Sequence, residues 1–243
     1  MQTEFYEEFP SKENLKKLKL IKFPTKIFIA AKSIQEFQKY EKIAKNYKKD
    51  LEVAYWPIVE NSYWISPFSN RKDLIELFWE LESIKNHLLI DLEFPLAKRW
   101  KMYFKNIFHF RKNKKIIKYF LEKNKERITT AEYSHIFSKT RKLIGLSYDI
   151  NYKKSIMFYT SVRSRKLNEK IIRNLKAMKN KEDYSISLGT IAIGILGNEP
   201  ILKPKQLEKD FEFVKKCGFK KVIIFRLGGL NRDYVKIIKK FST

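Results

Sequence analysis

A single cysteine excludes a disulfide framework, and with three histidines in the whole chain no Cys/His cluster offers a structural zinc site. Cys217 reads as a small side chain packed on a late helix. Glycine and proline are sparse, seven of each, and no low-complexity linker or internal repeat divides the chain. No stretch approaches the ~18 uncharged apolar residues of a membrane span. The acidic start, Met1 to Glu8, lacks the apolar core of a signal peptide. The expectation is a soluble, cytoplasmic protein.

Acid is scarce relative to base. Lys and Arg number 52 against 27 Asp and Glu, a net charge of +25, and the excess is almost all lysine, since only ten of the 52 are arginine. Such a balance favours solubility and non-specific attraction to anions, but specifies neither fold nor reaction. Coding bias or a hot habitat produces the same composition. No nucleic-acid-binding motif accompanies the charge, so no specific nucleic-acid partner is expected.

What the chain does contain is 44% hydrophobic residues, enough for a sizeable core. They fall into eight short runs rich in β-branched and aromatic residues: 3–9, 26–31, 52–59, 87–94, 127–133, 155–162, 185–196 and 221–227. Between them, apolar residues recur at helical spacing, as in Leu74, Leu77, Phe78 and Leu81, or Leu207, Phe211 and Val214. Ser33 and Ser69-Asn70 open helices, and Gly218 closes one. Eight strands alternating with helices predict a closed (β/α)₈ TIM barrel, one domain over 1–243. The competing doubly wound sheet lacks its Gly-rich turn, because Pro10-Ser11-Lys12-Glu13 follows the first strand.

One segment departs from the rhythm. Residues 98–127 hold twelve basic residues and two acids, interleaved with Trp100, Tyr103, Phe104, Phe108, Phe110, Tyr119 and Phe120. The pattern predicts two helices broken at Arg111-Lys112-Asn113-Lys114. The aromatics are expected to face the barrel mostly, with an anionic membrane surface or another polyanion as the alternative partner for this basic face.

Function in a barrel sits at the C-terminal ends of its strands. Asp91 and Glu93 fall there on the fourth strand, two apart and therefore on one side. Ile90, Leu92 and Phe94 take the side that helices cover. Two close carboxylates raise one another's proton affinity, which suits a general acid beside a charged partner. The other strand-end candidates for binding substrate are Glu7, Lys32, Tyr55, Trp56, Glu132 and Arg226, with Glu8, Tyr133 and Tyr159 at neighbouring positions. Trp56, Tyr63 and Trp64 suit the floor of a carbohydrate site. Gly228 and Gly229, after the eighth strand, stand where many barrels cradle a phosphate.

A resemblance adds to this reading. Ile90-Asp91-Leu92-Glu93-Phe94-Pro95 is similar to the end of the D-x-x-D-x-D-x-E signature of glycoside hydrolase family 18, the chitinase-type barrels. Ile156-Met157-Phe158-Tyr159 resembles the family's M-x-Y-D. Asn86 and Leu89 replace the first two Asp, Thr160 replaces the last, and the third-strand S-x-G-G has no counterpart. The resemblance implies a glycosidase with Glu93 as general acid and Asp91 orienting the substrate's N-acetyl group, which serves as nucleophile. It makes Tyr159 a hydrogen-bond donor to that group, and it needs no cofactor.

Two alternatives stay open. Glu7, Asp91, Glu93 and Glu132 converging on Mg²⁺ or another divalent cation would give a metal-dependent phosphodiester enzyme. A barrel without catalysis that binds a polyanion is the other. His87, His109 and His135 are placed for none of these reactions.

Overall fold

The computed structural model describes residues 1–94, 107–133 and 138–242. Eight parallel strands, β1 (Gln2–Glu7), β2 (Lys26–Ala31), β3 (Glu52–Pro57), β4 (Leu88–Asp91), β5 (Ile128–Tyr133), β6 (Lys153–Phe158), β7 (Tyr184–Gly189) and β8 (Lys221–Phe225), follow one another in sequence order around a closed barrel. The ring closes where β1 pairs with β8, Gln2 opposite Lys221 and Tyr6 opposite Phe225. Around it lie α1 (Lys12–Lys16), α2 (Ile34–Tyr47), α3 (Arg71–Glu82), α4 (Phe110–Lys123), α5 (Ser138–Leu143), α6 (Arg165–Ala177), α7 (Pro204–Lys216) and α8 (Arg232–Phe241).

Local sequence explains where these elements start and stop. The Ser33 hydroxyl accepts the Glu36 N–H and the Asn70 side-chain Oδ1 accepts the Lys72 N–H, satisfying donors that a helix leaves orphaned. Gly218 follows α7 with φ of +84°, a conformation that a side chain disfavours. Most strands stop short of the apolar runs, as in β4, which ends at Asp91 rather than Phe94. The surplus residues turn inward or form the loops of the mouth.

Two apolar layers result. The larger lies between the barrel and its helices, where Phe37 of α2 stacks on Tyr55 at 4.6 Å and Phe78 of α3 on Phe120 of α4 at 4.2 Å. Each such ring buried is worth about 1.5–3 kcal/mol. The smaller layer fills the barrel itself, with Tyr6, Phe28, Trp56, Met157 and Phe225 at its centre.

The basic segment corrects its reading. α4 runs unbroken through 111–114, because Asn113 is fully buried and donates to the carbonyls of Pro67 and Ser69 at 3.0 and 2.9 Å. A polar residue thus occupies an inward position that apolar periodicity scores as a break. Phe120 is buried and Phe110 packs on Phe68, but Phe108, expected against the barrel, is 87% exposed. Trp100, Tyr103 and Phe104 lie outside the described residues, as does His135. No described helix is long and apolar enough to cross a membrane.

Candidate active site

Strand alternation decides which side chains meet at the mouth. On β4 and just beyond it, Leu89, Asp91 and Glu93 border the interior while Leu88, Ile90 and Leu92 pack beneath the helices. They face a cavity of about 500 Å³ at the C-terminal end of the barrel, whose walls are mostly apolar. Trp56, Tyr6 and Phe225 form part of it, with the Tyr6 ring 5.7 Å from Trp56 and 6.4 Å from Phe225.

Glu93, half-buried, accepts a hydrogen bond from the Tyr133 phenol at 2.6 Å. Burial pushes its carboxyl up to about 7, against the opposing pull of that hydrogen bond and of the Arg163 charge. Asp91 is 5% exposed and takes a hydrogen bond from the Trp64 indole, while its Oδ1 has no hydrogen-bond partner among the described residues. Burial first, and then the charges of Glu93 and Glu8, hold the Asp91 carboxyl well above its ordinary range. The pair therefore keeps a proton near neutrality, as a general acid requires. Tyr159 lines the same cavity with its ring 5.7 Å from Phe225, and burial raises its phenol, so it remains a donor.

A third carboxylate joins them, and it is not the expected one. Glu8, at the end of β1, lines the cavity and accepts the Tyr63 phenol at 2.6 Å. Burial pushes its carboxyl up to about 7. Glu7 points the other way. Fully buried, it accepts the Arg226 guanidinium at 3.0 Å and the backbone N–H groups of Gly228 and Phe9 at 2.6 and 2.9 Å.

The remaining candidates need correction by the same logic of sidedness. Arg226 is spent on Glu7 and on the Ile193 carbonyl, to which it donates twice, and it covers the Phe9 ring. The Gly228 N–H already serves Glu7, and a Cβ on Gly229 would stand 1.8 Å from the Ile191 carbonyl oxygen. These two glycines allow close chain packing and present no phosphate cradle. Tyr55 lies outside the barrel wall on Phe37. Glu132, 1% exposed, is outside too, bound by Arg141 at 3.1 Å and Ser147 at 2.9 Å. Lys32 is exposed and borders a neighbouring groove of about 640 Å³ instead of the cavity.

The four acids expected around a cation are therefore divided, two inside the barrel and two outside. Among the described residues no group of three His, Cys, Asp or Glu is arranged to hold a metal ion. His87 sits at the opposite end, bonded to Thr129 at 2.9 Å. Sequence reasoning missed Arg163, whose Nη1 donates to the Met157 carbonyl at 2.9 Å and whose charge reaches Glu93. It stands in a loop, where no periodicity points to it.

No protein-family model and no curated protein matches the sequence. Among solved structures, a class V chitinase from Nicotiana tobaccum aligns over 97% of this chain and 98% of its own, with 10% identity and a TM-score of 0.52. The C-terminal domain of a putative chitinase from Desulfitobacterium hafniense aligns over 99% and 97%, with 9% identity and a TM-score of 0.59. The spore cortex-lytic enzyme SleL of Bacillus cereus aligns over all of this chain and 74% of its own, with 10% identity and a TM-score of 0.60. At such identities the likeness is one of fold: this chain shares the eight-stranded barrel of chitinase-type proteins.

Proposed function

We propose that the protein is a glycoside hydrolase that cleaves next to an N-acetylated amino sugar, with Glu93 as its general acid. The observation that carries this reading is the pairing of Glu93 and Asp91 at the edge of an apolar cavity, with Glu93 held by Tyr133. Glu93 gives its proton to the glycosidic oxygen as the bond from C1 to that oxygen breaks. Asp91 orients the acetamido group so that its carbonyl oxygen bonds to C1, and Tyr159 donates a hydrogen bond to the same group. Water then attacks C1, displaces the acetamido oxygen and returns a proton to Glu93. No step uses a metal. The route differs from the two-carboxylate scheme in taking its nucleophile from the substrate.

Thr160, where the chitinase-type motif has Asp, donates to Asp210 at 2.5 Å and takes no part. The aromatic lining from Trp56 and Trp64 gives a sugar ring apolar faces to rest on. The metal-dependent alternative loses its support with the division of the four acids.

The test is Glu93→Gln, which keeps shape and hydrogen bonding to Tyr133 but cannot donate the proton. Turnover of N-acetylglucosamine oligosaccharides should fall by about 10²–10⁴-fold with the melting temperature retained. Undiminished turnover would remove Glu93 as the acid. Absence of turnover in the unaltered protein would overturn the glycosidase reading.

A further inference from the structure

Within a chain of net charge +25, the charged groups that border this mostly apolar cavity are mainly acids. Glu8, Asp91, Glu93 and Glu199 face it against Arg163. Asp91 and Glu93 have tasks in the reaction proposed above, and Glu199 accepts the backbone N–H groups of Gly194 and Leu196 at 3.2 and 3.1 Å. Glu8 has no such task. It is 6% exposed, and Tyr63 donates to its Oε1, while its Oε2 is approached by the Ile195 N–H but makes no well-formed hydrogen bond among the described residues. An ionised carboxylate left this way is costly to bury unless a partner arrives. A second group borders the same space: Trp56 is 3% exposed and its Nε1–H has no acceptor among the described residues. A ligand that completes the cavity therefore brings a donor to Glu8 and an acceptor to Trp56.

Position narrows the ligand further. Glu8 and Ile195 border both the proposed catalytic cavity and the adjoining groove, so a chain that ran from one into the other would pass Glu8. A hydroxyl donor would leave the buried charge in place, whereas an ammonium group neutralises it and donates as well. The nearby Arg226 cation is already paired with Glu7 and does not offset Glu8 in full. Among the described residues that line the cavity, Arg163 alone offers a cation to an anionic substrate.

We infer that Glu8 selects a substrate with a free, protonated amine on the sugar unit beside the reacting one, so that the preferred substrate is a partly N-deacetylated amino-sugar chain. This rests on the glycosidase reading and specifies its substrate class. Glu8 acts here as a specificity-determining residue. It stabilises the bound chain by a charge-assisted hydrogen bond, and Glu93 remains the acid.

The experiment is calorimetric binding to Glu93→Gln protein of two tetrasaccharides of equal length. One is fully N-acetylated glucosamine and the other carries free amines at some units. The partly deacetylated chain should bind about tenfold tighter or more, the range of a hydrogen bond to a charged group. Adding Glu8→Gln should bring the two within about threefold of each other. Equal or tighter binding of the fully acetylated chain overturns the inference without any need of the second variant. So does an unchanged preference in a Glu8→Gln protein that melts normally. If the acetylated chain is turned over by the unaltered protein but bound without disadvantage, the amine inference falls and the glycosidase reading stands. If neither chain binds or is turned over, both fall.

Discussion

Glu7 and Glu8 are neighbours in the chain and face opposite sides of the barrel wall. On β1, Phe5 and Glu7 share one side and Tyr6 and Glu8 the other, an aromatic and an acid each, so alternation alone does not say which acid looks inward. On β4 the choice was legible, because Ile90 and Leu92 are apolar where Asp91 and Glu93 are not. The same ambiguity misplaced Glu132, which shares its face with Ile128 and Thr130 while Tyr133 beside it lines the cavity. The two sides of the wall differ in their energetics. Glu8 ordinarily holds its proton to about 4.5, and burial in the folded protein raises that to about 7. Between these values the folded state binds more protons than the unfolded one, so stability falls as pH rises through the interval and stays lower above it. Glu8→Gln removes that penalty. The variant should equal the unaltered protein near pH 4 and exceed it by about 3 kcal/mol at pH 8, measured by urea unfolding at both pH values. A variant less stable at pH 8 would mean that the Glu8 charge is already compensated.

At the scale of elements, the order of strands and the helical faces between them were legible because each obeys one period, two for strands and 3.6 for helices. What was not legible is where irregular chain docks. The seam between β1 and β8 is fastened by Glu7, which collects the Arg226 side chain and the N–H of Gly228 from the turn beyond β8. These partners lie more than two hundred residues away in sequence, and no local pattern announces them. The Arg226 side chain is only 11% exposed. Glu7→Ala would leave that cation buried without its counter-charge and the backbone N–H groups of Gly228 and Phe9 without their acceptor, a loss of about 3–5 kcal/mol. Because Glu7 faces away from the cavity, the protein that remains folded should bind oligosaccharide with unaltered affinity. Unfolding and binding measured together on this variant separate the fastening from the site. A large loss of affinity at unchanged stability would place Glu7 in the site after all.

Over the whole molecule, charge is the property that sequence reports in full and fold rearranges. The site's acids are gathered inside, out of reach of most of the 52 cationic side chains. Surface pairs such as Lys72 with Glu76 and Arg165 with Glu169 join exposed partners, and each is worth about 0–1 kcal/mol. The pairs of Glu7 with Arg226 and Glu132 with Arg141 are buried and little screened. The remaining lysines repel one another in the compact state more than in the extended one. Salt shortens the Debye length from about 30 Å at 0.01 M to about 10 Å at 0.1 M and 3 Å at 1 M. Screening therefore relieves a repulsion summed over the surface, while weakening surface pairs that contribute little. The melting temperature should rise by a few degrees, about 1–2 kcal/mol of stability, between 0.01 and 0.5 M sodium chloride. Scanning calorimetry across that range decides it. A flat or falling melting temperature would mean that local ion pairs, and not the net charge, govern how salt acts on this barrel.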